Sequence, residues 1–176
     1  MNTQDPERAE AGYSWKRDPL LWAYSALMSV PIVMVFMSYN FHRMDLCLYA
    51  GWALLGLSVA IILLAGREFM LKGGAPKGES IVHTTVLVDS GVYAVIRHPQ
   101  YLGFMLFVIA LGLMSQHWLS IASGVLGSAL FYLDVQREER MSVVKFGEDY
   151  ERYMRRVPRM NFILGVIRLL RRDKKR

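Results

Sequence analysis

A short basic segment, Arg97-His98-Pro99-Gln100-Tyr101, leads directly into an apolar stretch of the chain. Pro99 suits the first position of a helix, and a proline there keeps the preceding His98 out of helical geometry. The backbone N–H groups that follow have no partner inside the helix, and Arg97 and His98 flank them. Such a helix start is typical of a site for a carboxylate or a phosphate. Loops beside membranes also carry Arg and His for lipid contact, so the pattern alone leaves both interpretations open.

A second group of charged residues lies where a later apolar stretch ends, at Asp134, Arg137 and Glu138, with Glu139 next. Helical spacing puts the first three on one side of a helix. These groups are either solvated or paired with nearby arginines, or they face the helix start at Pro99. In the second case they enclose a pocket with charges of both signs and several aromatic residues. S-adenosylmethionine requires such a pocket, because it carries a carboxylate, an ammonium, an adenosine and a cationic sulfonium.

Four apolar blocks must position these residues, and they span 20–39, 46–66, 101–114 and 118–133. Each of the first two is uncharged and has about the 20 residues that a helix needs to cross a bilayer. The third and fourth would span about 21 and 24 Å as helices. Only three residues separate them, so we expect a tight helical hairpin, each helix extended by a turn. With 53% hydrophobic residues in the 176-residue chain, we predict an all-α integral membrane protein with about four transmembrane helices.

Two features of these blocks predict how the helices pack. Pro31 lies inside the first block, where a proline in a membrane bundle usually produces a kink. Small residues recur along the fourth block and predict a face for close helix packing. They are Ser120, Gly124, Gly127 and Ser128.

The distribution of basic residues predicts the orientation in the membrane. Arg43 alone lies in the two loops expected on one side, and all other Lys and Arg residues lie on the opposite side. By the positive-inside rule, both termini should be cytoplasmic, including segment 1–19. Segment 161–176 reads as a basic interfacial tail. We therefore assign the net charge of +6 to a lipid bilayer as partner and not to nucleic acid.

Other kinds of site find no support in the residue pattern. The single Cys47 excludes a disulfide framework and a multi-cysteine metal site. The four histidines lack the spacing of zinc ligands, so we expect no metal. They are His42, His83, His98 and His117. The sequence also lacks the glycine and lysine spacing of a phosphate-binding loop, and it lacks the nucleophile elbow of a serine hydrolase.

Several motifs in the second half of the chain resemble one family. They are Ser90-Gly91-Val92-Tyr93, Arg97-His98-Pro99-Gln100-Tyr101-Leu102-Gly103, Glu138-Glu139, Phe146-Gly147-Glu148-Asp149-Tyr150, Tyr153 and Val157-Pro158-Arg159. Their order and spacing are similar to the isoprenylcysteine carboxyl methyltransferase family, which shares its motif with the wider membrane phospholipid methyltransferases. The resemblance covers roughly residues 80–160. The first two apolar blocks match only in being apolar.

The resemblance implies a multi-pass membrane methyltransferase that uses S-adenosyl-L-methionine. Cytoplasmic C-terminal helices would form the cofactor pocket, within a core of residues 67–160 that follows the two helices of 20–66. A lipid-like or prenylcysteine-like acceptor would enter from the bilayer. Carried over by position, the cofactor contacts fall on Thr85, Val86, Leu87, Val88, Tyr93, His98, Pro99, Gln100, Tyr101 and Glu138.

One departure from the family pattern concerns the acceptor. Asp134 stands where the carboxyl methyltransferases have a substrate-handling arginine, and Arg137 follows one helical turn later. Asp134, Arg137 and Glu138 are therefore the candidate catalytic residues. An aspartate would repel a carboxylate acceptor but suit a cationic amine, so a phospholipid amine N-methyltransferase is the alternative. A non-catalytic four-helix membrane scaffold is the alternative of another class.

Overall fold

The computed structural model describes residues 18–74 and 85–173, and side chains as far as Arg171. Most of the N-terminal segment, His83 and the last three residues lie outside the described part. Within it the chain is helical, as predicted. The α-helices are α1 (Pro19–Met37), α2 (Asp45–Lys72), α3 (Pro99–Ser115), α4 (Trp118–Phe146), α5 (Glu148–Arg156) and α6 (Phe162–Asp173), with one 3₁₀ turn at Gly91–Ala94.

Three of these helices, α1, α2 and α4, are long and apolar enough to cross a membrane. The apolar helix α3 is shorter, with 17 residues. Helix α2 continues to Lys72, although we expected a loop from residue 67. Lys72 and Glu68 pair one turn apart at the polar end of α2, with 2.6 Å between Nζ and Oε2, which adds a small stabilisation to this last part of the helix.

The predicted hairpin between α3 and α4 is confirmed. Gln116 turns the chain with a left-handed φ of 53°. Its amide donates hydrogen bonds to Asn40 Oδ1 at 2.8 Å and to the Met44 carbonyl at 2.9 Å. The hairpin turn and the turn between α1 and α2 therefore lie at the same end of the bundle. His117 also lies there, 5.5 Å from the ring of Phe41.

Two glycines of the predicted small-residue face on α4, Gly124 and Gly127, pack on α1, whereas Ser120 lies beside Gly112 of α3. A Cβ added at Gly127 would lie 3.2 Å from Leu27 Cβ and 3.3 Å from the Met28 backbone nitrogen. Gly124 faces Pro31, which is fully buried. Helix α1 is continuous through Pro31. Because Gly124 and Gly127 have no side chains, α4 can approach α1 closely at these positions.

At the other end of the bundle, the 3₁₀ turn packs on the polar end of α2. Gly91 has a φ of +58°, and a Cβ there would lie 2.5 Å from Glu68 Cδ. Lys72 Nζ donates to Ser90 Oγ at 2.8 Å. The left-handed backbone conformation at position 91 favours glycine, and a larger residue would also displace the flexible end of Glu68. These contacts position Tyr93, which packs on α2.

The packing of α1 on α4 yields a stability prediction. Gly127→Leu forces the two helices apart, and we expect a loss of about 1–3 kcal/mol in the free energy of unfolding. Thermal unfolding of the detergent-purified protein measures the effect. Ala129→Leu, at an exposed position of α4, is the matched control and should leave the melting temperature near that of the wild type. Equal melting temperatures for both variants would contradict the packing described here.

Candidate functional site

The buried carboxylate of Glu139 connects three separate parts of the chain. Its Oε1 accepts hydrogen bonds from Arg97 Nε at 2.8 Å and Arg97 Nη2 at 2.6 Å, and lies 3.2 Å from His98 Nε2. Its Oε2 accepts from Arg159 Nε at 2.8 Å. The Glu139 side chain is only 4% exposed. Burial of a charge at this depth is tolerated because two guanidinium groups compensate it.

The same arginine also fixes the segment that follows α5. Arg97 Nη1 donates to the carbonyls of Met154 at 2.9 Å and Val157 at 2.6 Å. The backbone N–H groups of Arg97 and His98 donate to the carbonyls of Pro158 and Arg159 at 3.0 and 3.1 Å. The start of α3 and the segment 157–159 are thus paired through backbone and side chain together. Arg97 is fully engaged inside the protein, which corrects our expectation that it flanks an open anion site.

Three tyrosines complete the support of this region. Tyr153 donates from its hydroxyl to the Tyr93 carbonyl at 2.8 Å. Burial raises the pKa of Tyr153 well above its usual value. Burial, with the charge of Glu139, raises the pKa of Tyr150 to about 12. Both phenols therefore stay neutral at physiological pH and act as hydrogen-bonding and packing groups.

Glu138, the neighbour of Glu139, has an exposed side chain and faces a different part of the molecule. Its carboxylate lies against the hydroxyl of Tyr101 at the start of α3. It also adds to burial in raising the pKa of Tyr93. The structure therefore brings together three of the predicted cofactor residues, Tyr93, Tyr101 and Glu138. Of the others near this helix start, His98 and Pro99 are buried and Gln100 is half-buried.

Asp134 lies one helical turn before Glu138 and belongs to a cluster with the start of α1. Tyr24 donates to Asp134 Oδ2 at 3.3 Å. Arg137 Nη1 lies 2.5 Å from Oδ2 of Asp18, the residue that caps α1. The sequence does not predict the roles of Asp18 and Tyr24, because their partners on α4 are more than 100 residues away. The only signal in the sequence is the carboxylate of Asp18 at the edge of the first apolar block.

An aromatic layer joins this cluster to Glu138. The ring of Phe131 lies 4.9 Å from Tyr24 and 4.5 Å from Tyr101, measured between centroids. Phe104, one turn after Tyr101, lies 6.3 Å from the same ring. The side chains of Asp134 and Glu138 are therefore connected through neighbouring rings at the ends of α1, α3 and α4.

An apolar cavity of about 300 Å³ opens between α1, α2 and α3. It is lined by Ser25, Met28, Ser29, Ile32, Val59, Ile62, Leu63, Phe104, Phe107 and Val108. Ser25 follows Tyr24 in the chain, and Phe104 contacts Phe131. The cavity and the aromatic layer therefore share Phe104 as a common wall.

The predicted cofactor stretch 85–88 is divided between two places. Val88 is buried in a cluster with Ala65 and Tyr93. Thr85, Val86 and Leu87 line a separate open cavity of about 730 Å³ beside α5, whose walls also include Phe146, Asp89, Asp149, Arg152, Arg155 and Arg156. Val88 therefore contacts Tyr93 directly, and Leu87 packs on the cluster of Tyr150, Tyr153 and Val157.

Among the residues that the structure describes, no group of three or more His, Cys, Asp or Glu side chains is arranged to hold a metal ion. The polar chemistry of the described site therefore consists of carboxylates, guanidinium groups, phenols and backbone amides.

Comparison with known proteins connects part of the chain to one family. Residues 59–143 match the model of the isoprenylcysteine carboxyl methyltransferase (ICMT) family. This confirms, for that segment, the resemblance seen in the sequence. It includes Tyr93, the start of α3, Asp134 and both glutamates. No solved structure matches the chain.

Curated relatives are all named protein-S-isoprenylcysteine O-methyltransferase. The protein of Homo sapiens is 40% identical over 85 residues, which cover 47% of this chain and 30% of the relative. That of Mus musculus is 39% identical over 112 residues, 62% of this chain and 38% of the relative. That of Schizosaccharomyces pombe is 35% identical over 75 residues, 42% of this chain and 31% of the relative. The matched segments thus span well under half the length of these relatives.

The two adjacent glutamates yield a prediction that separates support from function. Glu139→Gln leaves the buried Arg97 without its anionic partner, and we expect a loss of about 3–5 kcal/mol in the free energy of unfolding. Glu138→Gln, the same change at an exposed position, should cost less than about 0.5 kcal/mol. Denaturation of both detergent-purified variants measures the difference. Similar losses for the two would show that Glu139 is not the structural centre of this region.

Proposed function

We propose, starting from the family match of residues 59–143, that this chain is an integral membrane S-adenosylmethionine-dependent methyltransferase. Its acceptor is a lipid-like or prenylcysteine-like molecule that reaches the site from the bilayer. The observation that supports the proposal most directly is that an apolar cavity lies next to a group of polar side chains. Phe104 lines the apolar cavity between α1, α2 and α3 and contacts Phe131. The ring of Phe131 also packs on Tyr24 and Tyr101, which interact with Asp134 and Glu138 respectively.

The donor set near the start of α3 fits S-adenosylmethionine. The first intrahelical hydrogen bond of α3 is donated by Leu102 to the His98 carbonyl at 3.1 Å. The N–H groups of Gln100 and Tyr101 precede it and are suited to a carboxylate. The carboxylate of Glu138 is suited to an ammonium or to ribose hydroxyls, and the rings of Tyr93 and Tyr101 are suited to a cation. When bound, the cofactor supplies an electrophilic methyl group on its sulfonium.

The residues of the chain then have to orient the two reactants and exclude water. The Glu139 cluster holds the start of α3 rigidly, so that Tyr101 and the free N–H groups keep their positions. The aromatic layer around Phe131 contacts both the polar groups and the apolar cavity, so the reacting end of an acceptor has to lie at this layer. A carboxylate or thiolate acceptor requires no proton transfer. An amine acceptor must lose a proton, and Asp134 is the nearest candidate for the base.

The proposed orientation puts the polar end of the bundle, with the Glu139 cluster and both termini, on the cytoplasmic side. The basic residues support it, because Arg67, Lys72, Arg97 and Arg137 lie at this end and Arg43 lies at the hairpin end. Helix α3 then forms a fourth crossing, since its 17 residues span about 26 Å and the hairpin joins it to α4.

A specific observation favours the second candidate, a phospholipid amine N-methyltransferase. The carboxylate of Asp134, which accepts a hydrogen bond from Tyr24 at 3.3 Å, lies beside the aromatic layer that borders the cavity. A carboxylate in this place suits a cationic headgroup better than an anionic one. Two acceptor classes therefore remain for the proposed membrane methyltransferase. One is the anionic carboxylate of a prenylcysteine-like molecule, and the other is the cationic amine of a phospholipid.

The cofactor proposal predicts that the detergent-purified protein binds S-adenosylhomocysteine. Glu138→Gln should weaken this binding by about tenfold, which corresponds to the loss of one charge-assisted hydrogen bond. Calorimetric titration measures it. Asp45→Asn removes a carboxylate at the hairpin end and should bind like the wild type. An absence of binding by the wild type would favour the scaffold alternative, and unchanged binding by Glu138→Gln would remove that residue from the site.

The acceptor proposal predicts a large effect of Asp134→Arg. Two unit charges about 5 Å apart at an effective dielectric constant of about 20 interact with about 3 kcal/mol. Methylation of a prenylcysteine analogue should therefore rise at least about tenfold if the acceptor is a carboxylate. With a phosphatidylethanolamine acceptor, the same change should abolish activity.

Both assays use the same membranes, with melting temperatures as the control for folding. Asp134→Asn, which removes the charge without reversing it, should give an intermediate effect of the same sign. Unchanged rates with both acceptors would show that Asp134 serves only to bind Tyr24 and does not line the acceptor site.

A further inference from the structure

The final helix, α6, packs its backbone directly on the segment that carries the site. A Cβ added at Gly165 would lie 2.1 Å from the carbonyl oxygen of Val95 and 2.9 Å from its carbonyl carbon. Val95 lies between Tyr93 and Arg97. Asn161 caps the helix, accepting from Leu164 N–H at 2.9 Å. Any displacement of α6 therefore acts on the backbone between a proposed cofactor residue and the Glu139 cluster.

Helix α6 has three distinct faces. Gly165 is buried and Leu169 half-buried on the face toward the protein. Successive residues are about 100° apart, which puts Ile163, Ile167 and Leu170 on a second face. These three side chains are 74%, 41% and 59% exposed. If this face of α6 were in water, the three side chains would form an exposed apolar stripe.

The third face is basic. Arg168 and Arg171 follow one another at helical spacing, and Arg172, Lys174, Lys175 and Arg176 continue the run along the sequence. An apolar stripe beside a basic face is the pattern of a helix lying in the membrane interface among anionic headgroups. The position agrees, because Val95 lies four residues before the start of α3. At that level the apolar bundle ends and the polar part begins.

We propose that α6 docks on an anionic lipid surface and that, through the Gly165–Val95 contact, this docking holds the cofactor site in its binding geometry. The coupling to the cofactor rests on the proposed function, whereas the docking does not. The acidic lipid is the occupant that the charge favours, because the exposed face has cations at its edge and no carboxylate among its described side chains.

The test compares the full chain in two kinds of nanodisc. Neutral discs contain phosphatidylcholine alone, and anionic discs contain phosphatidylcholine with about 30% phosphatidylglycerol. An environment-sensitive fluorophore is attached at Ile163→Cys in a Cys47→Ser background. In anionic discs, its emission should shift to the blue and iodide should quench it less than in neutral discs. In the same discs, binding of S-adenosylhomocysteine by the unlabelled protein should be about fivefold tighter.

Three variants separate docking from coupling. Arg168→Gln/Arg171→Gln should remove the lipid dependence of both measurements. Gly165→Val, which cannot keep its contact with Val95, should retain the fluorescence shift but lose the lipid dependence of ligand binding. Arg140→Gln/Lys145→Gln, which removes two exposed cations from α4, is the matched control and should behave like the wild type.

Each contrary result overturns a defined part of the proposal. A fluorophore equally open to iodide in both discs, or equally protected in both, would exclude anionic docking. Protection that depends on protein density in the discs would identify a second copy as the occupant. Lipid-dependent fluorescence with lipid-independent ligand binding would exclude the coupling. Absence of ligand binding in every disc would instead refute the proposed function, and the fluorescence would still decide the docking.

Discussion

The structure at the polar end of the bundle depends on one carboxylate. Glu139 accepts hydrogen bonds from Arg97 and Arg159, and these arginines belong to segments separated by about 60 residues. Removing a carboxylate from water costs several kcal/mol, which only well-placed opposite charges can offset. The cost makes the arrangement specific, since other positions of Arg97 or Arg159 would leave a buried charge unpaired. The start of α3, the end of α4 and the segment after α5 are therefore fixed relative to one another.

Much of the fold follows from local properties of the sequence. The apolar blocks predict helices, Pro99 predicts the start of α3 and the glycines of α4 predict close packing; each of these signals acts over one or two helical turns, and the structure shows all three features. The end of α2 was not predicted, because the apolar pattern stops at residue 66 while the backbone remains helical to Lys72. Hydropathy indicates which part of a helix has apolar surroundings, but it does not indicate where the backbone hydrogen bonds of the helix end.

The candidate site was harder to predict, since its contacts join distant parts of the chain. Glu138 and Glu139 look equivalent in the sequence, yet their directions on α4 differ by about 100°. One therefore meets Arg97 inside the protein and the other meets Tyr101 at an open surface. Likewise, the stretch 85–88 was treated as one unit. Its last residue, Val88, is buried against Ala65 and Tyr93, which are distant in the sequence, whereas Thr85, Val86 and Leu87 line the cavity beside α5.

The position of this region at the edge of the apolar bundle explains why it needs such internal support. The site of the proposed function would accept an apolar molecule from one side and a highly polar one from the other, and such a site cannot bury both walls in a single core. Its polar wall has to be held by hydrogen bonds and ion pairs, and here those groups are withdrawn from the cleft. Arg97 and Glu139 neutralise each other inside the protein. Under the proposed function, the exposed carboxylate of Glu138 and the half-buried carboxylate of Asp134 are the charges left to meet an incoming molecule. We therefore expect the binding preference of the proposed site to depend on side chains other than those of the Glu139 cluster.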